Sequence, residues 1–157
     1  MKKRLSIGNL VILEAIIEII SKTLQMKIID KLAWIEIKNN KILSTKSFGK
    51  DKYYIPGGKR ENFESDEQAL CREIKEELSV VLIPDTLKFI GVFQAHAHGH
   101  SEDTIVKMTC YAASYNGLLK VDSEIEEMIW LTYSDKGKIS AVDKLIFDFL
   151  KERNMLE

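Results

Sequence analysis

The chain has few cysteines, little net charge and no apolar run long enough to cross a bilayer. Its 157 residues include two cysteines, two prolines and three histidines. Cys71 and Cys110 lack the spacing of a zinc or redox motif, so both kinds of site are excluded and a reducing cytoplasm is the expected compartment. No repeat or low-complexity segment is present.

The charge balance excludes another class of function. The formal net charge is −1, without the basic excess of a general nucleic-acid binder, so any nucleotide recognition must be local. The composition, 45% hydrophobic and 30% charged, suits one soluble domain with a real core. We therefore expect a small-molecule partner and no stable binding of nucleic acid.

The N-terminal segment has a basic start followed by a mostly apolar run. Glu14 and Glu18 interrupt this run and no small-residue cleavage site follows, which argues against export and against a membrane span. The pattern predicts an amphipathic helix over residues 9–23, with polar Glu14, Glu18 and Ser21 opposite a wide apolar face. The apolar positions of this face are Leu10, Leu13, Ile16, Ile17, Ile20 and Leu24.

A face of this kind must be covered, and a second copy of the chain is the preferred partner. Binding to a membrane surface is the alternative, which the acidic polar side weakens. We accordingly divide the chain into a helical appendage, residues 1–25, and a domain, residues 26–157.

The rest of the chain alternates between the periods of strands and helices. Strands are predicted over residues 31–37, 41–45, 52–55, 87–94, 104–115 and 127–131. Asn116-Gly117 predicts a hairpin whose return strand starts at residues 118–120. A closing helix over residues 142–153 would turn Leu145, Ile146, Phe149 and Leu150 inward. The pattern indicates an α/β fold, with a mixed sheet between two helices.

The segment from Gly58 to Val80, GKRENFESDEQALCREIKEELSV, carries the densest functional signal. Ser65 begins a predicted helix that ends at Leu78, and an apolar stripe of Ala69, Leu70, Ile74 and Leu78 would pack it on a sheet. Three glutamates three and four residues apart share one side, where their charges repel. These are Glu73, Glu76 and Glu77.

A divalent cation would remove this repulsion. Magnesium prefers oxygen ligands and is commonly held by one or two carboxylates together with substrate phosphates. Pro56-Gly57-Gly58, directly before the segment, would let the backbone turn sharply and approach the site closely. The sequence therefore predicts Mg²⁺, with Mn²⁺ as a possible substitute, bound to this helix.

The spacing of Gly58, Glu64, Arg72-Glu73, Ile74, Glu76-Glu77 and Val80 resembles the Nudix box, G-x5-E-x7-R-E-U-x-E-E-x-G-U, with U a bulky aliphatic residue. Ser79 replaces the usual glycine, and a small residue with positive φ could cap the helix there. The resemblance covers residues 27–151 and implies the Nudix-type α/β/α sandwich. It also implies that the Gly57 carbonyl is a metal ligand and that Arg72 pairs with Glu64.

The resemblance implies attack of water on a phosphorus of a nucleoside diphosphate linked to another group. Glu76 and Glu77 are the expected metal ligands, and Glu73 is a ligand or the general base. Arg72 is grouped with these catalytic residues. Family members often recruit a further glutamate before the last strand. Glu124 is the first candidate for it, with Glu126 and Glu127 as alternatives.

The sequence KYYIPGGK is similar to the lead-in of MutT-like triphosphate pyrophosphohydrolases, in which an aromatic residue precedes the turn. Tyr53 or Tyr54 could stack on a base, or either could simply cover the core. The other candidates for substrate contact are Gly58, Lys59, His96, His98 and Lys107. His100 belongs to the same histidine cluster, which could equally be an ordinary surface feature.

Three functions remain open at this point. The first is a (deoxy)nucleoside triphosphate pyrophosphohydrolase that releases pyrophosphate and a nucleoside monophosphate. The second is a pyrophosphatase for nucleotide sugars, CDP-alcohols or ADP-ribose, which would share the box and differ in the pocket. The third is a noncatalytic nucleotide-binding module, which the intact glutamate cluster argues against.

Overall fold

A computed structural model describes residues 7–24, 26–97 and 103–157. It contains three α-helices and eight strands among these residues. The helices are α1 Ile7–Leu24, α2 Asp66–Leu78 and α3 Ala141–Glu152. The strands are β1 Lys27–Trp34, β2 Ile37–Lys38, β3 Lys41–Ser47, β4 Val81–Leu82, β5 Lys88–His96, β6 Thr104–Ala112, β7 Tyr115–Asn116 and β8 Ile125–Leu131. Short 3₁₀ helices cover Pro84–Thr86 and Tyr133–Lys138.

The strands form two three-stranded sheets and one two-stranded pair. In the first sheet, β6 lies between β1, to which it is parallel, and β5, to which it is antiparallel. The second sheet is antiparallel, with β3 between β2 and β8. The pair joins β4 to β7. The parallel and antiparallel pairings confirm the predicted mixed character of the fold.

Helices α2 and α3 pack on opposite sides of these strands. Leu32 and Trp34 of β1 lie in one core cluster with Leu70 and Ile74 of α2. Ala33, between them in sequence, lies in the other cluster, which contains the buried face of α3. Because successive strand side chains point to opposite faces, β1 supplies both cores. The layers are those of the expected α/β/α sandwich.

Helix α2 begins and ends with local signals. The Ser65 side chain accepts from the Gln68 amide at 3.2 Å, and the Gln68 side chain accepts from the Ser65 amide at 2.9 Å, which is a capping box. Ser79 ends the helix in the left-handed conformation with φ 58°. The four predicted apolar positions of this helix are all fully buried. The sequence-based prediction of α2 is therefore confirmed at both ends.

Several strand predictions need correction. β1 starts at Lys27 rather than Lys31, because the whole strand pairs in parallel with β6. No return strand follows Asn116-Gly117; instead Tyr115 and Asn116 pair with Leu82 and Val81. The hairpin prediction was wrong because β4, which is distant in the sequence, pairs with the backbone of Tyr115 and Asn116. Residues 52–55 form only isolated bridges, and β8 begins at Ile125, two residues early.

Helix α3 uses a slightly different inward face from the predicted one. Ile146 and Leu150 are buried, and Phe149 makes an edge-to-face contact with Phe93. Leu145, in contrast, is 43% exposed, so its inward placement was wrong, and Phe147 is fully buried instead. The helix is rotated so that it covers both β5 and β6.

Helix α1 lies outside both cores. Leu13, Ile16, Ile17 and Ile20 of the predicted apolar face are 44–56% exposed. Three further apolar residues that lie outside that face are also exposed, namely Val11, Ile12 and Ile19. Apolar side chains therefore cover more of the helix surface than predicted, and its polar side is narrower. Among the described residues, no helix is long and apolar enough to span a membrane.

Candidate active site

The glycine turn before α2 lies directly against β1. The Leu32 amide donates to the Gly58 carbonyl at 2.8 Å, and the Trp34 amide donates to the Pro56 carbonyl at 2.9 Å. Gly57 has φ +139°, and a Cβ there would lie 2.3 Å from the Leu32 carbonyl oxygen. Only glycine fits this position, so the backbone of the turn reaches the glutamates of α2 without an intervening side chain.

Glu77 is the most enclosed carboxylate of α2. It is 7% exposed, and its Oε2 accepts from the Gly57 amide at 3.0 Å. Burial raises the pKa of Glu77 to about 8, and the negative charges of Glu124 and Glu73 raise it too. The Gly57 amide and the Lys31 charge act in the opposite direction. A buried carboxylate surrounded by other carboxylates indicates a place for a cation.

Arg72 ties the loop before α2 to the helix. Its Nε and Nη2 donate to the two oxygens of Glu64, both at 2.8 Å. Nη2 also donates to the Lys59 carbonyl at 3.1 Å, and Nη1 donates to Glu73 Oε1 at 2.9 Å. The Arg72 hydrogen bonds, with the Glu61 amide, lower the pKa of Glu64 to about 2. One planar guanidinium therefore fixes the loop and orients Glu73.

A cleft with a volume of about 490 Å³ is lined by Gly57, Glu73 and Glu77, whereas Arg72 and Glu64 lie outside its lining. Pockets of about 300–1,000 Å³ hold small ligands and cofactors. The charged residues of its lining are Glu73, Glu77, Glu124, Lys27, Lys31, Lys50 and Lys59. Its apolar lining includes Ile29, Ile55, Val106, Met108 and Val142. The cleft lining thus combines carboxylates and lysines with apolar side chains, as a nucleotide would require.

Most of the sequence-predicted site residues lie on this cleft. Gly57, Gly58, Lys59 and Tyr54 line it along one side, and His96 lies at the end of β5. Burial, followed by the charges of Asp51 and Asp143, raises the pKa of Tyr54, so its hydroxyl is neutral near pH 7. A neutral aromatic ring on the cleft wall can stack on a base.

Other predicted residues lie elsewhere. Glu76 is 56% exposed outside the lining, with Oε2 3.7 Å from Arg72 Nη1. Lys107 lies outside the lining as well, 3.5 Å from Asp30. His98 and His100 lie outside the described residues. The Glu76 side chain thus lies near Arg72 rather than on the cleft, and the Lys107 side chain pairs with Asp30.

The alternatives to Glu124 and Tyr54 have structural partners of their own. Lys46 lies 3.4 Å from Glu126 and 3.7 Å from Glu127. The Tyr53 hydroxyl donates to Glu127. Of these glutamates only Glu124 lines the cleft.

The donor set fits magnesium in its chemistry. Glu73, Glu77 and Glu124 share the cleft and offer hard oxygen atoms, and Gly57 lines the same cleft. Within residues 7–24, 26–97 and 103–157, no three acidic, histidine or cysteine side chains converge tightly enough to hold an ion. The carboxylates thus share a cleft but do not form a closed ligand cage.

The sequence reasoning missed three cleft lysines, Lys27, Lys31 and Lys50. Lys27, Ile29 and Lys31 occupy alternate positions of β1, and all three line the cleft. Their alternate positions predict that the three side chains share one face of the strand, once the strand is known to begin at Lys27. Ser140 and Val142, at the start of α3, were also missed, because nothing local predicts that this helix end reaches the cleft.

Comparison with known proteins agrees with this geometry. The E. coli ORF135 protein has a similar structure, with a TM-score of 0.65 and 23% identity over 82% of this chain and 92% of that one. The MutT NUDIX hydrolase of Burkholderia pseudomallei gives a TM-score of 0.67 and 20% identity over 79% and 98%. These similarities concern the fold. No functionally curated protein sequence is significantly similar to this chain.

The family model described as the NUDIX domain matches residues 32–149. This range contains the glycine turn, the glutamates of α2 and Glu124, and it covers most of the chain. The chain therefore belongs to the Nudix family, as a hydrolase that acts on phosphoric anhydride bonds.

Proposed function

We propose that the protein is a magnesium-dependent (deoxy)nucleoside triphosphate pyrophosphohydrolase that yields a nucleoside monophosphate and pyrophosphate. The observation that carries the proposal is the cleft itself, whose lining combines three carboxylates and four lysines with apolar side chains. Lysine ammonium groups bind phosphate oxygens as point charges, and a triphosphate supplies enough negative charge for several of them. The structurally similar proteins called MutT include those from Burkholderia pseudomallei and Methanosarcina mazei.

The metal would be held by oxygen atoms of the glycine turn and the acidic side chains. The proposed ligands are the Gly57 carbonyl, Glu73, Glu76, Glu77 and Glu124. Bound Mg²⁺, or Mn²⁺ in its place, would shield the phosphate charge and lower the pKa of the attacking water. Because Glu76 points toward Arg72 and solvent, its side chain must turn before it can take part.

The remaining roles belong to the chain's own residues. Water forms a bond to one phosphorus, and the bond from that phosphorus to the bridging oxygen breaks, with its electron pair leaving on that oxygen. The proton of the water passes to a carboxylate, for which Glu73 is the proposed general base. Arg72 orients this carboxylate through Nη1. Tyr54 would stack on the base, while Gly58, Lys59 and His96 contact the substrate, with His98 and Lys107 kept as further candidates.

The experiment is a release assay over canonical and oxidised (d)NTPs, NDP-sugars, ADP-ribose and CDP-alcohols, with and without Mg²⁺. Inorganic pyrophosphatase converts pyrophosphate to detectable phosphate, and a phosphomonoesterase reveals monophosphates. A magnesium-dependent signal from triphosphates that requires the pyrophosphatase is expected. A signal confined to diphosphate conjugates would move the protein to the second class of substrates, and silence from folded protein would favour a binding module.

The Glu77→Gln variant tests the carboxylate site in the same assay. Glutamine keeps the shape of the side chain and an oxygen that can accept from the Gly57 amide, so we expect normal folding. It removes an anionic ligand, so we expect most of the turnover to be lost. Turnover equal to wild type at saturating Mg²⁺ would overturn this assignment.

We further propose that residues 1–25 form an appendage to a domain of residues 26–157, and that α1 joins two copies into a homodimer. The exposed apolar side chains of α1 support this, because water contact with so many isoleucines is unfavourable. Deleting residues 1–25 should leave the chemistry intact and halve the mass in light scattering. An unchanged mass would argue against this role. A cytoplasmic location is the compartment that we propose from the cysteine usage.

A further inference from the structure

A buried carboxylate lies behind the cleft without a full set of partners. Asp143, in the first turn of α3, is 0% exposed. Its Oδ2 accepts from the Ser140 hydroxyl at 2.6 Å, and the backbone amides of Ile55 and Ser140 also favour its ionised form, whereas Oδ1 has no hydrogen-bond partner among the described residues. A buried carboxylate with one satisfied oxygen is costly, so a nearby cation is expected to compensate it.

Lys31 is the cation whose charge acts on Asp143 and whose side chain also lines the cleft. It lies on β1, next to Leu32, whose amide donates to the Gly58 carbonyl of the glycine turn. It is half-buried and lines the cleft together with Ser140 and Val142, the residues that precede Asp143. The Lys31 side chain forms no hydrogen bond or ion pair with another described residue, unlike the side chains of Lys107 and Lys46. Its ammonium group is therefore available to a ligand.

The pKa shifts of Asp143 and Glu77 agree with this placement of Lys31. The charge of Lys31 lowers the pKa of Asp143 and also that of Glu77, against the stronger effect of burial. One ammonium group is therefore within electrostatic reach of the buried carboxylate on one side and of the proposed metal site on the other. Along β1, the apolar Ile29 and then Lys27 follow it toward the other end of the cleft.

We propose that Lys31 binds a phosphate of the substrate and that the buried Asp143 carboxylate is the positioning residue that holds the Lys31 ammonium group at the metal end of the cleft. The inference rests on the proposed function, since it names a residue of the same site. Asp143 itself does not line the cleft, so it acts only through Lys31. The retention of a costly buried carboxylate then has a functional reason.

The test is a double-mutant cycle with Lys31→Met, Asp143→Asn and the double variant, assayed for kcat and KM on the best triphosphate. Removing a charged hydrogen bond to phosphate should lower kcat/KM by about 10- to 100-fold in Lys31→Met. Lys31→Arg should recover part of this loss. Lys38→Met is the matched control, because Lys38 is exposed on β2 outside the cleft, and it should stay within about twofold of wild type.

Asp143→Asn should lower kcat/KM by about 3- to 10-fold, but by less than about twofold when Lys31 is already methionine. A purely structural role of Asp143 would give the same factor in both backgrounds, and this would overturn the positioning role. A Lys31→Met variant within twofold of wild type would overturn the inference entirely.

Calorimetry with inorganic pyrophosphate and Mg²⁺ separates this inference from the proposed function. Binding at least about tenfold weaker in Lys31→Met than in Lys38→Met would support the phosphate contact even if no triphosphate were hydrolysed. Equal binding by the two variants would overturn the contact, whether or not wild type is a triphosphate pyrophosphohydrolase. Failure of the proposed function appears instead as the absence of pyrophosphate release from wild type.

Discussion

The carboxylate of Glu73 occupies the space into which a side chain at Gly58 would project. A Cβ on Gly58 would lie 2.0 Å from Glu73 Cδ and 2.3 Å from each of its oxygens. The two residues are fifteen positions apart in sequence, and the glycine turn brings them into contact. The absence of a side chain at residue 58 is therefore a condition for the position of the proposed base.

Gly58→Ala should displace the Glu73 carboxylate and lower kcat by about 100-fold or more, since small displacements of catalytic groups have effects of this size. The fold should persist, because the end of a side chain can move more easily than backbone. Gly137→Ala is the control, since a Cβ there meets nothing within 4 Å. Steady-state kinetics and thermal unfolding of both variants check the prediction, and a Gly58→Ala enzyme with wild-type kcat would contradict it.

Arg72→Lys should lower kcat/KM by about 10- to 100-fold, because lysine cannot pair with both oxygens of Glu64 and also orient Glu73. Arg153→Lys is the control, because the Arg153 side chain, among the described residues, donates to the Phe149 carbonyl and stacks on the Phe149 ring, away from the cleft. If lysine at residue 72 supported full activity, the planar guanidinium would not be needed.

The same variant has a pH dependence with a definite sign. The folded pKa of Glu64 is about 2, below the ordinary value of 4.5 for a glutamate, so the pair stabilises the folded state above pH 4.5. This contribution is lost as the pH falls from 4.5 toward 2. The difference in unfolding free energy between wild type and Arg72→Lys should therefore shrink between pH 7 and pH 3 in urea titrations. A difference that grew at low pH would contradict the pairing.

Glu124→Gln should lower kcat by about 10-fold or more at limiting Mg²⁺, because it removes the cleft carboxylate contributed from outside α2. Glu126→Gln is a matched control two residues away, since Glu126 pairs with Lys46 outside the cleft. Magnesium titrations of activity in both variants check the difference. Equal losses of activity in the two variants would show that Glu124 contributes no more to the site than a glutamate outside the cleft.

Asp143→Asn should stabilise the protein more at pH 7.5 than at pH 4.5. Burial raises the folded pKa of Asp143 to about 6 from 3.8, so the ionised form destabilises the fold increasingly as the pH rises from about 4 to 6. The asparagine variant avoids this cost, on the order of 2–3 kcal/mol above pH 6. The gain should appear in urea unfolding, while the exposed Asp85→Asn changes little at either pH.

Two titratable groups near Asp143 do not change their charge in the pH range over which Asp143 titrates. Burial raises the pKa of Tyr54 above 10 and that of Cys110 to about 12, so neither titrates between pH 4 and 7.5. The Ser140 hydroxyl and Lys31 oppose the upward shift of the Asp143 pKa. A variant that is stabilised equally at both pH values would mean that Asp143 is protonated throughout.

Local sequence signals predicted α2 well and the pairing of distant segments poorly. Ser65 and Gln68 form a cap from interactions within four residues, and Ser79 ends the helix through its own backbone conformation. In contrast, Tyr115 pairs with the distant Leu82 and does not belong to the hairpin that Asn116-Gly117 predicts. Leu145 was misplaced because the rotation of α3 is decided by β5 and β6. Such competition has no signature in the immediate sequence.

By itself the sequence determined the helix that carries the glutamates, the glycine turn and the family to which the chain belongs, because caps, helical spacing and backbone freedom act over a few residues. Only the tertiary structure decided that Glu73, Glu77 and Glu124 share a cleft while Glu76 faces Arg72. It also brought Lys31 within electrostatic reach of the buried Asp143, which is 112 positions away in the chain. These groups meet through strand register and the packing of α3, and both depend on contacts between distant parts of the chain.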